Sequence, residues 1–302
     1  MKPAFVFSFL FSAAMLAGCS QESDGPDPVV PKPDPEPQKL EIKISPSVVE
    51  SRATDFGFET GDRIGLYVVN YNGSTPGSLA ASGNHVDNMR FTYNGTWTPD
   101  TPIYWKDDKT HADFYLYYPY TNIQSVSAQP FAVKADQSTE SAYKASDFMT
   151  GKASNVAPTA EATVIRATHV TSRMMIYLEA GNGFTAESLA AAAVSVKING
   201  VKCNATVDIA TGTATPTGDA TSVTPLKSGN AYKALIVPQT VQEGNLITIN
   251  VDGRDFNLKK GFTFEGGKSH KFTVTLSKTS NGVNVDINPW EDDGTDNGGT
   301  AE

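Results

Sequence analysis

Four two-residue turn signals constrain this chain more tightly than any other feature: Asn94-Gly95, Asn199-Gly200, Asp252-Gly253 and Asn281-Gly282, each set between strand-like runs. Asn, Asp and Gly tolerate the positive φ angles of type I′ turns, whose twist matches that of the flanking strands, so each pair predicts a hairpin. Two are especially clear. Val194–Ile198 and Val201–Val207 flank Asn199-Gly200, and Leu246–Val251 and Arg254–Leu258 flank Asp252-Gly253. One good helical run stands against them, the alanine-rich Ala186–Ala193, with Thr185 placed to cap it. So many short strands and turn signals predict an all-β chain, best arranged as two Greek-key β-sandwiches; the pattern alone leaves barrels open.

The first residues do not belong to that fold. Met1-Lys2 and the apolar run through Leu16 read as a signal peptide over residues 1–18, too short to span a bilayer as a mature helix. Leu16-Ala17-Gly18-Cys19 matches a lipobox, so Cys19 is the expected lipidation site and the membrane the first partner, reached through an acyl anchor such as palmitate. An ordinary signal cleavage beside a bystander cysteine is the competing reading. Residues 19–39 carry six prolines among acidic and polar residues, which makes a stiff, extended tether rather than a core.

An arginine then sits between two strand patterns. Leu40, Ile42 and Ile44 alternate with Glu41, Lys43 and Ser45, while Arg63–Tyr71 reads as a more buried strand. Between them Ser51-Arg52-Ala53-Thr54-Asp55 is small and polar and is followed by the turn residues Gly57, Gly61 and Asp62. That stretch should be exposed and cleavable. A cut between Arg52 and Ala53 would leave the strand of Leu40, Ile42 and Ile44 held by no covalent bond. The competing reading makes Arg52 one more surface arginine. A small, loop-like stretch from Asn155 to Ala162 marks a boundary, giving expected units at 40–52, 53–160 and 161–290 and an acidic flexible tail over 291–302.

The chain resembles the fimbrillin-like proteins of Bacteroidales, the subunits of type V pili. The resemblance rests on Ser51–Asp55 followed by Phe58-Glu59, Gly61-Asp62, Ile64-Gly65 and Tyr67, then on Ala112–Pro119, His169–Leu178 and the ending Ile287-Asn288-Pro289-Trp290. It spans nearly the whole chain. It implies two tandem transthyretin-like sandwiches and a precursor exported to the outer membrane and cell surface. It further implies a cut after Arg52 by an arginine-specific protease and assembly with other pilin subunits by strand exchange. The implied donor is a C-terminal strand. Val283–Ile287 alternates suitably but also reads as the last strand of the second sandwich, and residues 291–302 are polar, Gly or Ala. That departure weakens the case for a repeating stalk subunit and raises a tip, terminal or accessory role. The alternative is a non-polymerising surface lipoprotein that holds a host glycan or protein.

Chemistry is sparse. The net charge of −9 with no basic cluster argues against nucleic acid. His85, His111, His169 and His270 are scattered, without zinc-ligand spacing, so no metal or other cofactor is expected. Gly261–Ser269 imitates a P-loop but has one residue too many and leads into a strand. No catalytic constellation appears, and the chain is not read as an enzyme. Cys203, the second cysteine, is expected to be a small buried apolar residue. The aromatics of Ile103–Trp105 and Phe114–Tyr120 could stack on sugars but are read as core.

Overall fold

The computed structural model describes residues 39–48, 57–278 and 299–301. Cys19, Arg52, Ala53, the turn Asn281-Gly282 and the strand expected over Val283–Ile287 lie outside the described residues, as do residues 1–38. The first half contains β1 (Ile44–Val48), β2 (Arg63–Asn70), β3 (Val86–Tyr93), β4 (Trp97–Pro99), β5 (Ala112–Tyr118), β6 (Gln129–Ala132), the short helix α1 (Glu140–Lys144), β7 (Met149–Val156) and β8 (Thr163–His169). All of its strands except β6 form one seven-stranded sheet in the order β1-β8-β7-β5-β2-β3-β4.

The central strands of this sheet are buried on both faces, which is why they read as continuous apolar runs. On β2 and β5, Ile64, Leu66, Val68, Phe114 and Leu116 enter one core with Ile103, Trp105 and Ile165. Alternate residues Tyr67, Val69, Tyr115 and Tyr117 enter a second core with Phe148, Val170, Val207 and Ile209. The aromatic run of β5 is thus interior packing on two faces, as its alternation suggests. Trp105 is buried with it, whereas Tyr104 stays 40% exposed.

The second half contains β9 (Ser172–Ala180), α2 (Ala186–Ala191), β10 (Val194–Asp208), β11 (Thr213–Val223), β12 (Leu226–Ser228), β13 (Ala231–Ile236), β14 (Gln239–Val241), β15 (Asn245–Val251), β16 (Arg254–Lys259), β17 (Phe262–Phe264), β18 (Ser269–Leu276) and β19 (Gly299–Ala301). One sheet runs β11-β10-β15-β16, with β6 also paired to β10; another runs β12-β13-β9-β18-β19, and β14 pairs with β17. Met174, Ile176, Ala234 and Phe272 from the second sheet meet Val196, Ile198, Ile249 and Phe256 from the first in one core, so the two layers pack face to face. The expected helix is present, with Thr185 as its N-cap in a capping box with Ser188. The all-β expectation holds.

Two hairpin expectations are met. Asp252 (φ 49°) and Gly253 (φ 87°) join β15 to β16, and Asn94-Gly95 joins β3 to β4. Asn199-Gly200 is a correction: β10 runs straight through it with an irregularity in register against β11. The reason lies on both neighbours. The Asn199 amide nitrogen donates to the Asn245 carbonyl (3.1 Å) and the Thr248 hydroxyl (2.9 Å), and its oxygen accepts from the Ser222 hydroxyl (2.8 Å). Strands flanking both sides keep the chain extended, and Gly200 (φ 74°) supplies a bulge instead of a turn.

The change of sheet falls between His169 and Ser172. The strand β8 buries Ile165 and Ala167 in the first core and pairs with β7, so it stays with the first sheet. From the other direction, β6 crosses over to pair with β10. Near the C-terminus Gly299–Ala301 pairs in parallel with Val274–Leu276. Backbone pairing asks nothing of side-chain polarity, and β18 presents an edge to be covered.

Candidate functional site

The segment Leu40–Val48 lies at the margin of the first sheet and packs into its core. From Ile42 on its residues alternate: Ile42 and Ile44 are buried at 1% and 7%, Pro46 and Val48 are half-buried, and Lys43, Ser45 and Ser47 are exposed, while Leu40 and Glu41 are both half-buried. The inward set packs on Ile103, Trp105, Ile165 and Ala167. A proline within this run fits an edge strand, where its missing N–H costs no ladder bond.

The backbone of the segment is held by two separate stretches of chain. In its first half the Ile42 N–H donates to the Ile103 carbonyl (2.8 Å), and the Trp105 N–H donates to the Leu40 carbonyl (2.9 Å). In its second half Ile44–Val48 runs parallel to β8, from Ile44 opposite Thr163 to Val48 opposite Ala167. At the crossover the Thr163 N–H donates to the Lys43 carbonyl (2.9 Å). The segment therefore joins β8 at one edge of the sheet to the stretch that follows β4 at the other. Next to this seat His85 Nε2 lies 2.7 Å from the Tyr104 carbonyl oxygen.

On the far side of residues 49–56 the chain is anchored independently. Phe58 meets Trp97 edge-on at 4.8 Å and Tyr118 at 6.0 Å. Lys144 Nζ lies 2.7 Å from Glu59 Oε1, and the Glu59 N–H donates to Asp62 (2.7 Å). The Tyr118 hydroxyl donates to Asp62 (3.2 Å); burial first, and then the Asp62 carboxylate, push its pKa well up. A chain severed within residues 49–56 would keep these contacts on its C-terminal side.

Leu40, Ile42 and Ile44 all pack against the same core. The regular strand of the segment is Ile44–Val48, within the 40–52 unit expected from the sequence. The seat on β8 was missed altogether, because a parallel pairing across more than a hundred residues leaves no local signal. The histidines stay apart: His111 Nδ1 meets Asn155 Oδ1 (2.8 Å) and His169 Nδ1 meets Asp147 (2.8 Å), while His270 accepts from the Glu265 N–H (3.3 Å). Among the described residues no group of His, Cys, Asp or Glu is arranged to hold a metal ion. Cys203 is a free thiol, half-buried, with its pKa raised by burial.

Residues 51–290 match the profile of the fimbrillin-like family. The chain belongs to that family. A protein of Bacteroides uniformis that carries the provisional name fimbrium subunit Fim1C is 25% identical over 96% of both chains. A provisionally named fimbrium tip subunit Fim1C of Bacteroides ovatus is 30% identical over 34% of this chain and 21% of its own. Two solved structures provisionally described as cell adhesion proteins share the fold. The one from B. uniformis has a TM-score of 0.59 at 24% identity and covers 79% of this chain and 94% of its own. The one from B. ovatus has a TM-score of 0.64 at 17% identity, covering 78% and 92%. The match to the fimbrillin-like profile starts at residue 51, so Leu40–Val48 lies before it and Arg52 near its first residue.

Proposed function

We propose that this fimbrillin-like chain is a subunit of a cell-surface fimbria, exported as a lipoprotein through Cys19 and activated by a cut between Arg52 and Ala53. In this reading the seven-stranded sheet and the two facing five-stranded sheets are two tandem transthyretin-like sandwiches. Cleavage frees Leu40–Val48, and a strand from a neighbouring subunit takes its place by β-augmentation. The observation that carries the proposal is the seat of Leu40–Val48: a strand buried by alternate side chains, hydrogen-bonded to two separate stretches, and followed by residues 49–56 as its covalent link to the rest.

The magnitudes allow it. At ~1.5–3 kcal/mol per buried aliphatic side chain, Ile42 and Ile44 with the half-buried Leu40 and Val48 contribute about 5–9 kcal/mol. That is comparable to the whole stability of a domain, about 5–15 kcal/mol. An emptied groove would drive assembly strongly, and the intact strand would block it just as strongly. Pairing of Gly299–Ala301 with β18 of the same chain supports a tip or accessory role, since these residues are engaged on their own sheet.

The test is to treat lipid-free precursor with an arginine-specific protease and follow intact mass, N-terminal sequence and oligomeric state. The expected result is an N-terminus at Ala53 and oligomers that form only after the cut. An uncut, persistent monomer would overturn the reading in favour of a non-polymerising surface lipoprotein that binds glycan or host protein.

A further inference from the structure

A cleft of about 560 Å³ opens where the first sheet meets the end of β10, and no residue of β1, β8 or 103–105 lines it. Its volume falls within the range of roughly 300–1,000 Å³ common to small-molecule sites. The floor is a fixed polar network. Asp113, 2% exposed, accepts hydrogen bonds from the Tyr71 hydroxyl (3.0 Å), the Asn155 N–H (2.8 Å) and the Tyr115 hydroxyl (3.3 Å). Lys152 Nζ lies 3.3 Å from the same carboxylate and 4.8 Å above the centre of the Tyr115 ring. One wall is the loop carrying Gly77, drawn so close to β2 that a Cβ would sit 2.6 Å from Val69 Cγ1 and 2.7 Å from the Asn70 carbonyl oxygen. The cleft is therefore formed in advance of any ligand.

Its rim leaves polar groups available. Ser127 and Ser154 are exposed. Asp208 Oδ1 accepts from the N–H groups of Ala210 (2.8 Å) and Thr211 (3.1 Å), while its Oδ2 meets no donor among the described residues. Leu79 and Val126 are half-buried apolar neighbours on the lining.

The chemistry narrows the occupant. β2, β5 and β7 each have a strand on both sides in the sheet, so the cleft offers no free backbone edge to an incoming peptide strand. Two carboxylates, Asp113 and Asp208, stand against the single ammonium of Lys152, which disfavours a phosphate or carboxylate ligand. Donors (Lys152, Ser127, Ser154) and acceptors (Asp208, the Tyr71 oxygen) are interspersed, which suits groups that both donate and accept. Sugar hydroxyls do so, and the C–H face of a pyranose ring suits Leu79 and Val126. We infer that this cleft binds a neutral sugar residue of a glycan chain, independently of strand exchange at the other site.

The experiment screens the purified chain against an array of neutral and acidic oligosaccharides and titrates the hits by calorimetry. Ser127→Trp and Ser154→Trp fill the cleft from exposed positions, and Tyr104→Ala removes an exposed aromatic elsewhere; thermal melts check that each variant folds. The expected result is a neutral glycan bound by the unaltered chain and by Tyr104→Ala, and weakened at least about tenfold by either tryptophan. Failure of every neutral glycan to bind, a preference for acidic ones, or binding that survives both tryptophans would overturn the assignment.

Discussion

Asp113 shows how a single side chain can hold a strand junction together. Burial opposes its ionised form, yet the Asn155 N–H, the Tyr71 hydroxyl and Lys152 hold its pKa below the usual aspartate value. A depressed folded pKa means that its stabilisation is complete above the unfolded value, near pH 4, and is lost as pH falls through the folded one. Asp113→Asn should therefore flatten the acid limb of the stability–pH curve while costing about 1–3 kcal/mol at neutral pH, as donors aimed at the carboxylate lose their partner. Urea melts between pH 2 and 7 read both effects. Ile42 makes a second case. Truncating this 1%-exposed side chain in Ile42→Ala should cost the uncut chain about 2–5 kcal/mol. The same substitution should leave the melting temperature unchanged after cleavage at Arg52 and loss of the strand; an equal loss in both forms would show that the segment does not leave.

Among the elements, β10 gathers more partners than any single signal in its sequence suggests. It pairs with β15 through Val194–Ile198, with β11 through Ile198–Asp208 and with β6 through Asn204–Val207. The bulge at Gly200 lets one strand serve these neighbours, and its backbone is left-handed with Val241 Cγ1 3.2 Å from where a Cβ would stand. Gly200→Ala should therefore cost about 1–3 kcal/mol, measured by denaturant melts. The same dipeptide type makes a turn at Asp252-Gly253 because β15 and β16 neighbour one another there, and a bulge at Asn199-Gly200 because strands on both sides demand continuity. A local pattern cannot tell these outcomes apart.

At the scale of the molecule, Leu40–Val48 joins the two margins of the first sheet, one parallel and one antiparallel, so its departure would open both. Limited proteolysis tests this directly. After a cut at Arg52, backbone amides of residues 163–167 and 103–105 should lose hydrogen-exchange protection together, while those of β13 and β18 keep theirs. Protection lost at one margin alone would mean that the segment does not join them.

The all-β class, the capped helix after Thr185, the inward alternation of Leu40, Ile42 and Ile44, and the motifs of the fimbrillin-like family were legible in the chain itself, because periodicity, capping and turn chemistry are local. The parallel seat on β8, the bulge at Gly200, the crossing of β6 to β10 and the cleft over Asp113 were not. Each depends on which distant strand lies alongside, and that is decided by the burial of whole faces: Tyr67, Tyr115 and Tyr117 against Val207 and Ile209 on one side, Ile42 and Ile44 against Ile103 and Ile165 on the other.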